Sequence, residues 1–228
     1  MTTAAPPVTL EIRLDSKIRI HFPGKLRFEL EPLRGALRTD LVLPNPEYHE
    51  AQRLGRYTRK IPREINLIVW DKVTEVASLP RGYWPELVEW LRRLGVNVHI
   101  QDATVALATV NFGSRIELRD YQVDPVAAAV YADGGIVEAP PGAGKTQMGL
   151  EILARIGQPA LWLTHTRDLA DQVATRAADF LSIPQREIGM IGAGRERIGD
   201  RLTIGIIPKL AAMDLAPLAG QFGTVLLD

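Results

Sequence analysis

The stretch that decides the fold is Ala139-Pro140-Pro141-Gly142-Ala143-Gly144-Lys145-Thr146. An apolar run, Gly135-Ile136-Val137-Glu138, leads into it, and Gln147–Ala154 follows with the look of a helix. Strand, glycine-rich turn ending in Gly-Lys-Thr, then helix is the layout of a phosphate-binding loop. Each residue type has a physical reason. Glycines let backbone N–H groups turn inward around an anion with no side chain in the way. The helix N-terminus adds partial positive charge at the same point. Lys145 can reach the outer phosphates of a nucleotide, and the Thr146 hydroxyl can ligate Mg²⁺. The strict pattern begins with glycine, and here that position is Ala139.

Outward from the loop, the chain after Ile116 alternates helices and strands, the pattern of a parallel sheet covered by helices. The spacing predicts helices over 121–131, 147–155 and 166–180. It predicts strands over 135–138, 160–164, 188–191, 202–207 and 225–227, with weak helicity over 209–218. Upstream the pattern is different. Leu10, Ile12, Leu14, Ile18 and Ile20 alternate with charged residues, as do Leu26, Phe28 and Leu30 after the turn Pro23-Gly24, which reads as a β-rich start. Asn45-Pro46 caps a short helix over 46–54. Ile65–Trp70 and Val73–Leu79 read as a hairpin around Asp71-Lys72. Trp84–Leu94 is an amphipathic helix ending at Gly95, and a strand follows over 96–100. The segment 101–114 is a connector with its boundary at Gly113-Ser114. The expected organisation is a disordered leader over 1–7, an α+β accessory domain over 8–114, and a nucleotide-binding lobe over 115–228.

Composition bounds the chemistry. There is no cysteine, so disulfides and thiolate metal sites are excluded. The histidines are scattered, and no apolar run approaches the ~20 residues that cross a bilayer. Residues 1–7 have neither the basic region nor the apolar core of a signal peptide, so a cytoplasmic protein is expected. The 27 Lys+Arg balance 27 Asp+Glu, but the first half carries the basic excess and the second the acidic one. The most basic stretch is Arg53, Arg56, Arg59, Lys60 and Arg63, with Tyr48 and Tyr57 nearby. Guanidinium groups among aromatics suit a phosphate backbone with stacked bases; a solvated charged face is the other reading.

Four segments in order carry a family resemblance: Leu118-Arg119-Asp120-Tyr121-Gln122, the phosphate loop, Thr164-His165-Thr166-Arg167-Asp168-Leu169-Ala170-Asp171-Gln172, and the strand ending at Asp228. Together they resemble superfamily two helicases and translocases of the XPB-type and phage UvsW-type branch. The resemblance implies an α/β fold, a RecA-like parallel sheet with flanking helices forming an incomplete first motor lobe. It makes Ala139 ordinary. It puts Gln122 on adenine with Arg119 and Tyr121 nearby, and Pro141, Gly142, Ala143, Gly144, Lys145 and Thr146 around the phosphates. It gives Asp228 to Mg²⁺, and Thr164, His165, Thr166, Arg167 and Gln172 to the nucleic-acid backbone. ATP and Mg²⁺ are the implied cofactors and DNA the implied partner. RNA stays open, because phosphate contacts do not identify the sugar.

One further family segment departs from its pattern. Ile206 and Pro208 stand where threonine and glutamine are usual, after Gly192-Ala193-Gly194. In the accessory half, Asn45-Pro46-Glu47-Tyr48, Leu54-Gly55-Arg56, Ile61-Pro62-Arg63 and Pro80-Arg81-Gly82 resemble the domain preceding the motor in UvsW-like helicases. The sequence stops at Asp228, where the family continues with a glutamate and a second motor lobe. The expectation is that this polypeptide binds nucleotide weakly without turning it over. A translocating subunit of a restriction system and a non-catalytic DNA-binding module are the alternative functions.

Overall fold

Thr9–Leu14 (β1) and Lys17–His21 (β2) form an antiparallel pair because every second residue is apolar: Leu10, Ile12, Ile18 and Ile20 are almost fully buried, with charged residues facing out. The computed structural model describes residues 9–22, 30–132 and 134–228. The leader over 1–7, the Pro23-Gly24 turn and the strand expected through Leu26 and Phe28 lie outside them. Contacts divide the chain into two units between Thr104 and Val105.

In the first unit, Val69–Asp71 (β5), Val76–Pro80 (β6) and Asn97–Asp102 (β7) complete a five-stranded sheet in the order β5-β6-β2-β1-β7, with only β1 and β7 parallel. The hairpin expected at Asp71 forms between β5 and β6. Its turn is held by the Asp71 carboxylate, which accepts from the N–H groups of Val73 (2.8 Å) and Thr74 (3.3 Å). The first part of the expected strand pairs elsewhere. Glu64–Asn66 (β4) joins Val42–Pro44 (β3) in a separate ladder. Two helices cover the sheet. Trp84–Leu94 (α3) follows the sequence reading, and Gly95, at φ 61°, ends it in a left-handed cap. Glu31–Leu41 (α1) is a helix that the sequence reading passes over. Leu33, Leu37 and Leu41 recur every fourth residue and are buried.

The second unit is an α/β layer. Its parallel strands are Gly189–Gly192 (β9), Leu202–Ile206 (β11), Ala160–Thr164 (β8) and Thr224–Leu227 (β12), adjacent in that order, with Arg195–Arg197 (β10) antiparallel on the β9 edge. The central strand β11 is buried along its whole length, as a strand covered on both faces must be. Lys145–Ile156 (α5) and Arg167–Leu181 (α6) pack on it, and Asp120–Tyr131 (α4) packs on α5. The weak helicity near 209 reduces to Ile207–Leu210 (α7).

Residues 105–114 pack with the second unit: Phe112 is 1% exposed in its core and Val110 N–H donates to Gly157 O at 2.9 Å. One expectation needs correcting. Gly135–Glu138 is not a strand. Ile136 is 96% exposed, and these residues have no ladder partner among the described residues. Apolar character favours a strand, but a strand forms only where a neighbour satisfies its backbone.

Candidate nucleotide-binding site

The phosphate loop has the backbone that its sequence asks for. Gly142 (φ 81°) and Gly144 (φ 78°) both occupy the left-handed region, which a side chain would strain. Ala143 N–H donates to Pro140 O at 3.2 Å, closing the turn. Gly144, which has no side chain to offer, is the N-cap of α5, and among the described residues no side chain accepts a hydrogen bond from the first-turn N–H groups. That leaves a helix N-terminus open to an anion. Lys145 Nζ donates to its own loop, to Ala139 O at 3.1 Å and Pro140 O at 3.2 Å. A phosphate would replace those neutral acceptors with charged ones, the stronger partner for an ammonium. Thr146 is half-exposed beside it, and Pro141 is exposed at the loop's tip.

The first turn of α4 grips this loop. Gln122, 1% exposed, donates from Nε2 to Ala143 O at 2.7 Å and accepts from Arg119 N–H through Oε1 at 2.9 Å. The second bond is half of a capping box that opens the helix. Tyr121 OH donates to the same carbonyl at 3.4 Å and accepts from Arg119 Nη1 at 2.9 Å. So Tyr121 and Gln122 converge on Ala143 O, and Arg119 is tied to both of them. Gln122 thus uses one amide N–H and one carbonyl lone pair on the loop and its own helix start, while Tyr121 is 53% exposed. A cleft of about 460 Å³ opens between Tyr121, Pro125, Val137, Pro140 and Met148.

Asp228 is brought to the same face as the loop. Its N–H donates to Leu163 O at 3.0 Å, extending the β12–β8 ladder by one residue. Leu226, two residues back, lies under α5: a Cβ added to Gly149 would stand 3.0 Å from its Cδ1 and 2.6 Å from Trp162 Cη2. Strand alternation carries that orientation on to Asp228. Among the described residues no three His, Cys, Asp or Glu side chains are grouped to hold a metal. Mg²⁺ does not require such a group, because it keeps waters and phosphate oxygens and takes one or two protein ligands. Thr146 and Asp228 fit that need.

The backbone-tracking segment divides in two. Thr166 is the N-cap of α6, its Oγ1 accepting from Leu169 N–H at 3.3 Å, and Thr164 is buried with its hydroxyl donating to Thr166 O at 3.2 Å. Both therefore shape the turn. His165, Arg167 and Gln172 are exposed, and Arg167 lies 3.6 Å from Asp171. Ile206, standing where a threonine was expected, packs on Gly192, whose added Cβ would be 2.9 Å from it.

Of the sequence signals, two were passed over. A glycine inside a helix, Gly149, marks a close approach, here to Trp162. A glutamate among apolar helix neighbours, Glu151, is 8% exposed and carries two hydrogen bonds.

In the first unit, the basic stretch emerges at the end of Pro46–Arg53 (α2) and runs to β4. Asn45, 6% exposed, pins both ends: Oδ1 accepts from Glu47 N–H at 3.0 Å and Nδ2 donates to Pro62 O at 2.8 Å. Arg53, Arg56, Arg59, Lys60 and Arg63 are all exposed and make no side-chain ion pair among the described residues, and Tyr57 is 69% exposed between them. Cations on a pinned loop without carboxylate partners are available to an external anion.

Residues 115–228 match the family model described as type III restriction enzyme, res subunit. This chain belongs to that family of superfamily two DEAD/DEAH-type helicases. Over 84 residues, 37% of this chain, the sequence is 37% identical to "DNA 3'-5' translocase XPB2" of Sulfurisphaera tokodaii, a match that spans 18% of that protein's length. The fold matches two crystal structures of the UvsW helicase from bacteriophage T4. TM-scores are 0.65 and 0.66 at 18% identity, covering 97% of this chain and 82% and 47% of theirs. No helix among the described residues is long and apolar enough to cross a membrane.

Proposed function

We propose that the chain is the ATP-binding part of a DNA helicase or translocase acting on branched or duplex DNA. The single observation that carries the nucleotide reading is the open N-terminus of α5, framed by two left-handed glycines and Lys145. Its backbone N–H groups and Lys145 would hold the β- and γ-phosphates. Gln122 would meet the adenine, with Tyr121 and Arg119 nearby, through the amide N–H and lone pair that its two loop bonds leave over. Thr146 and Asp228 would hold Mg²⁺, which supplies neutralisation of phosphate charge. Nucleic acid would meet two surfaces: His165, Arg167 and Gln172 around the start of α6, and Arg53, Arg56, Arg59, Lys60 and Arg63 around Tyr57. DNA is favoured over RNA because the archaeal relative is named a DNA translocase.

The domain boundary is proposed at Thr104/Val105, with the accessory unit as the DNA-binding module. The matched family's description also favours a second reading, the translocating subunit of a restriction system. A nuclease activity in the intact protein would select it.

The test has two arms. A fluorescent ATP analogue with Mg²⁺ should bind the parent chain and lose binding in Lys145→Ala. Binding by Lys145→Ala equal to the parent's would defeat the nucleotide reading. For nucleic acid, Arg56→Glu with Arg59→Glu should weaken duplex binding and reduce the salt slope by about 2 in log–log units, if each contacts one phosphate. An unchanged affinity and slope would make the stretch a solvated face.

A further inference from the structure

Glu151 is the one carboxylate among the buried polar residues of the described chain, and no role in nucleotide chemistry explains it. It lies in the middle of α5. Met148, Gly149, Leu150, Glu151, Ile152 and Leu153 are all buried, and six consecutive residues at 100° each go right round a helix. The phosphate-loop helix is therefore enclosed on every side. On the Glu151 side, the cover comes from the irregular segment that enters the second unit.

That segment holds α5 along its length. Leu107 N–H donates to Gln158 Oε1 at 2.8 Å, just past the helix C-terminus, and Val110 N–H donates to Gly157 O at 2.9 Å. Phe112 is buried in the core. Ser114 Oγ donates to Glu151 Oε2 at 2.6 Å, while Arg155 Nε donates to Oε1 at 2.7 Å. The same chain then reaches α4, whose Gln122 holds Ala143 O in the loop itself. One continuous stretch, 107–122, thus touches the beginning, middle and end of the phosphate-binding element.

A buried carboxylate is a poor choice for stability alone. An apolar residue of similar volume usually serves as well or better, whereas directional hydrogen bonds fix orientation. We infer that Glu151, held by Ser114, is a positioning residue for the phosphate loop. It sets the rotation and height of α5 relative to the 107–122 brace, so that the loop N–H groups and Lys145 converge on one point. The inference rests on the nucleotide reading above.

Ser114 is exposed, so Ser114→Ala should fold. It should weaken both a fluorescent ADP analogue and inorganic pyrophosphate about tenfold. Hydrogen exchange should rise in 142–147 and stay unchanged in β8 and β11. Ser114→Thr, which keeps the hydroxyl, should retain the parent's affinity. Glu151→Gln, a second variant of the same shape, should weaken binding in the same direction. Parent-like binding by Ser114→Ala and Glu151→Gln would overturn the inference, and so would an affinity loss accompanied by equal loosening of β8 and β11. If the parent binds neither probe, or Lys145→Ala binds as the parent does, the nucleotide reading itself fails and takes this inference with it.

Discussion

The same substitution, glycine to alanine inside a helix, should have opposite effects at two positions. Gly35 lies in α1 with nothing within 4 Å of an added Cβ. Alanine there gains helix propensity, about 0.8–1 kcal/mol, with no steric term against it. Gly149 lies in α5, where the added Cβ would stand 2.6 Å from Trp162 Cη2 and 3.0 Å from Trp162 Cζ3 and Leu226 Cδ1. The first distance is about 1 Å inside ordinary carbon contact. Trp162 is 1% exposed and its ring is rigid, so relief requires the helix or β8 to shift. Overpacking of this kind costs about 1–3 kcal/mol. Set against the same propensity gain, it leaves a net loss of about 0–2 kcal/mol, where Gly35→Ala gains outright. Hydrogen exchange resolved by segment is the suitable assay, because it reads each unit separately. Gly35→Ala should slow exchange in α1 and β2, while Gly149→Ala should speed it in α5 and β8. A lead of Gly149→Ala toward stability, matching Gly35→Ala, would refute the close packing of the phosphate-loop helix on its sheet.

Two other outcomes follow from single contacts. Gln122→Ala leaves Ala143 O and the Arg119 N–H without their buried partner, a loss of about 1–3 kcal/mol. It should weaken nucleotide binding even for an analogue lacking the base, such as inorganic triphosphate, and unchanged triphosphate affinity would mean that the loop holds itself. Asn45→Ala removes both the cap of α2 and the pin on Pro62, costing about 1–2 kcal/mol. Proteolysis should then cut first within residues 54–63, and an unaltered cleavage pattern would show that the basic loop is held by other contacts.

Local chemistry was legible in the sequence wherever a residue type has one conformational use. Gly142 and Gly144 imply left-handed backbone, and both adopt it. Asn45-Pro46 implies a capped helix start, and Gly95 a helix end. The apolar blocks after Ile116 imply a parallel sheet, because strands buried on both faces cannot alternate. The helix α1 was legible too, in Leu33, Leu37 and Leu41, although the alternation through Leu30 just before it suggested a strand.

The rest depended on partners far away in the chain, which no local pattern specifies. Ile136 and Val137 look like a strand by composition, but pairing is a property of two segments, and no strand among the described residues pairs with them. The hairpin strand expected over 65–70 was divided, its first part going to β3, because register is decided by which edge is open. Gln122 is the same residue type wherever it bonds, and only the packing of α4 on the loop brings its amide to Ala143 O. The sequence by itself thus determined the phosphate loop, its family and the residues available to it. Tertiary structure decided what those residues are already bonded to, and that the loop's helix is held in place by Ser114 and Glu151, because side-chain hydrogen bonds form between positions that only folding brings together.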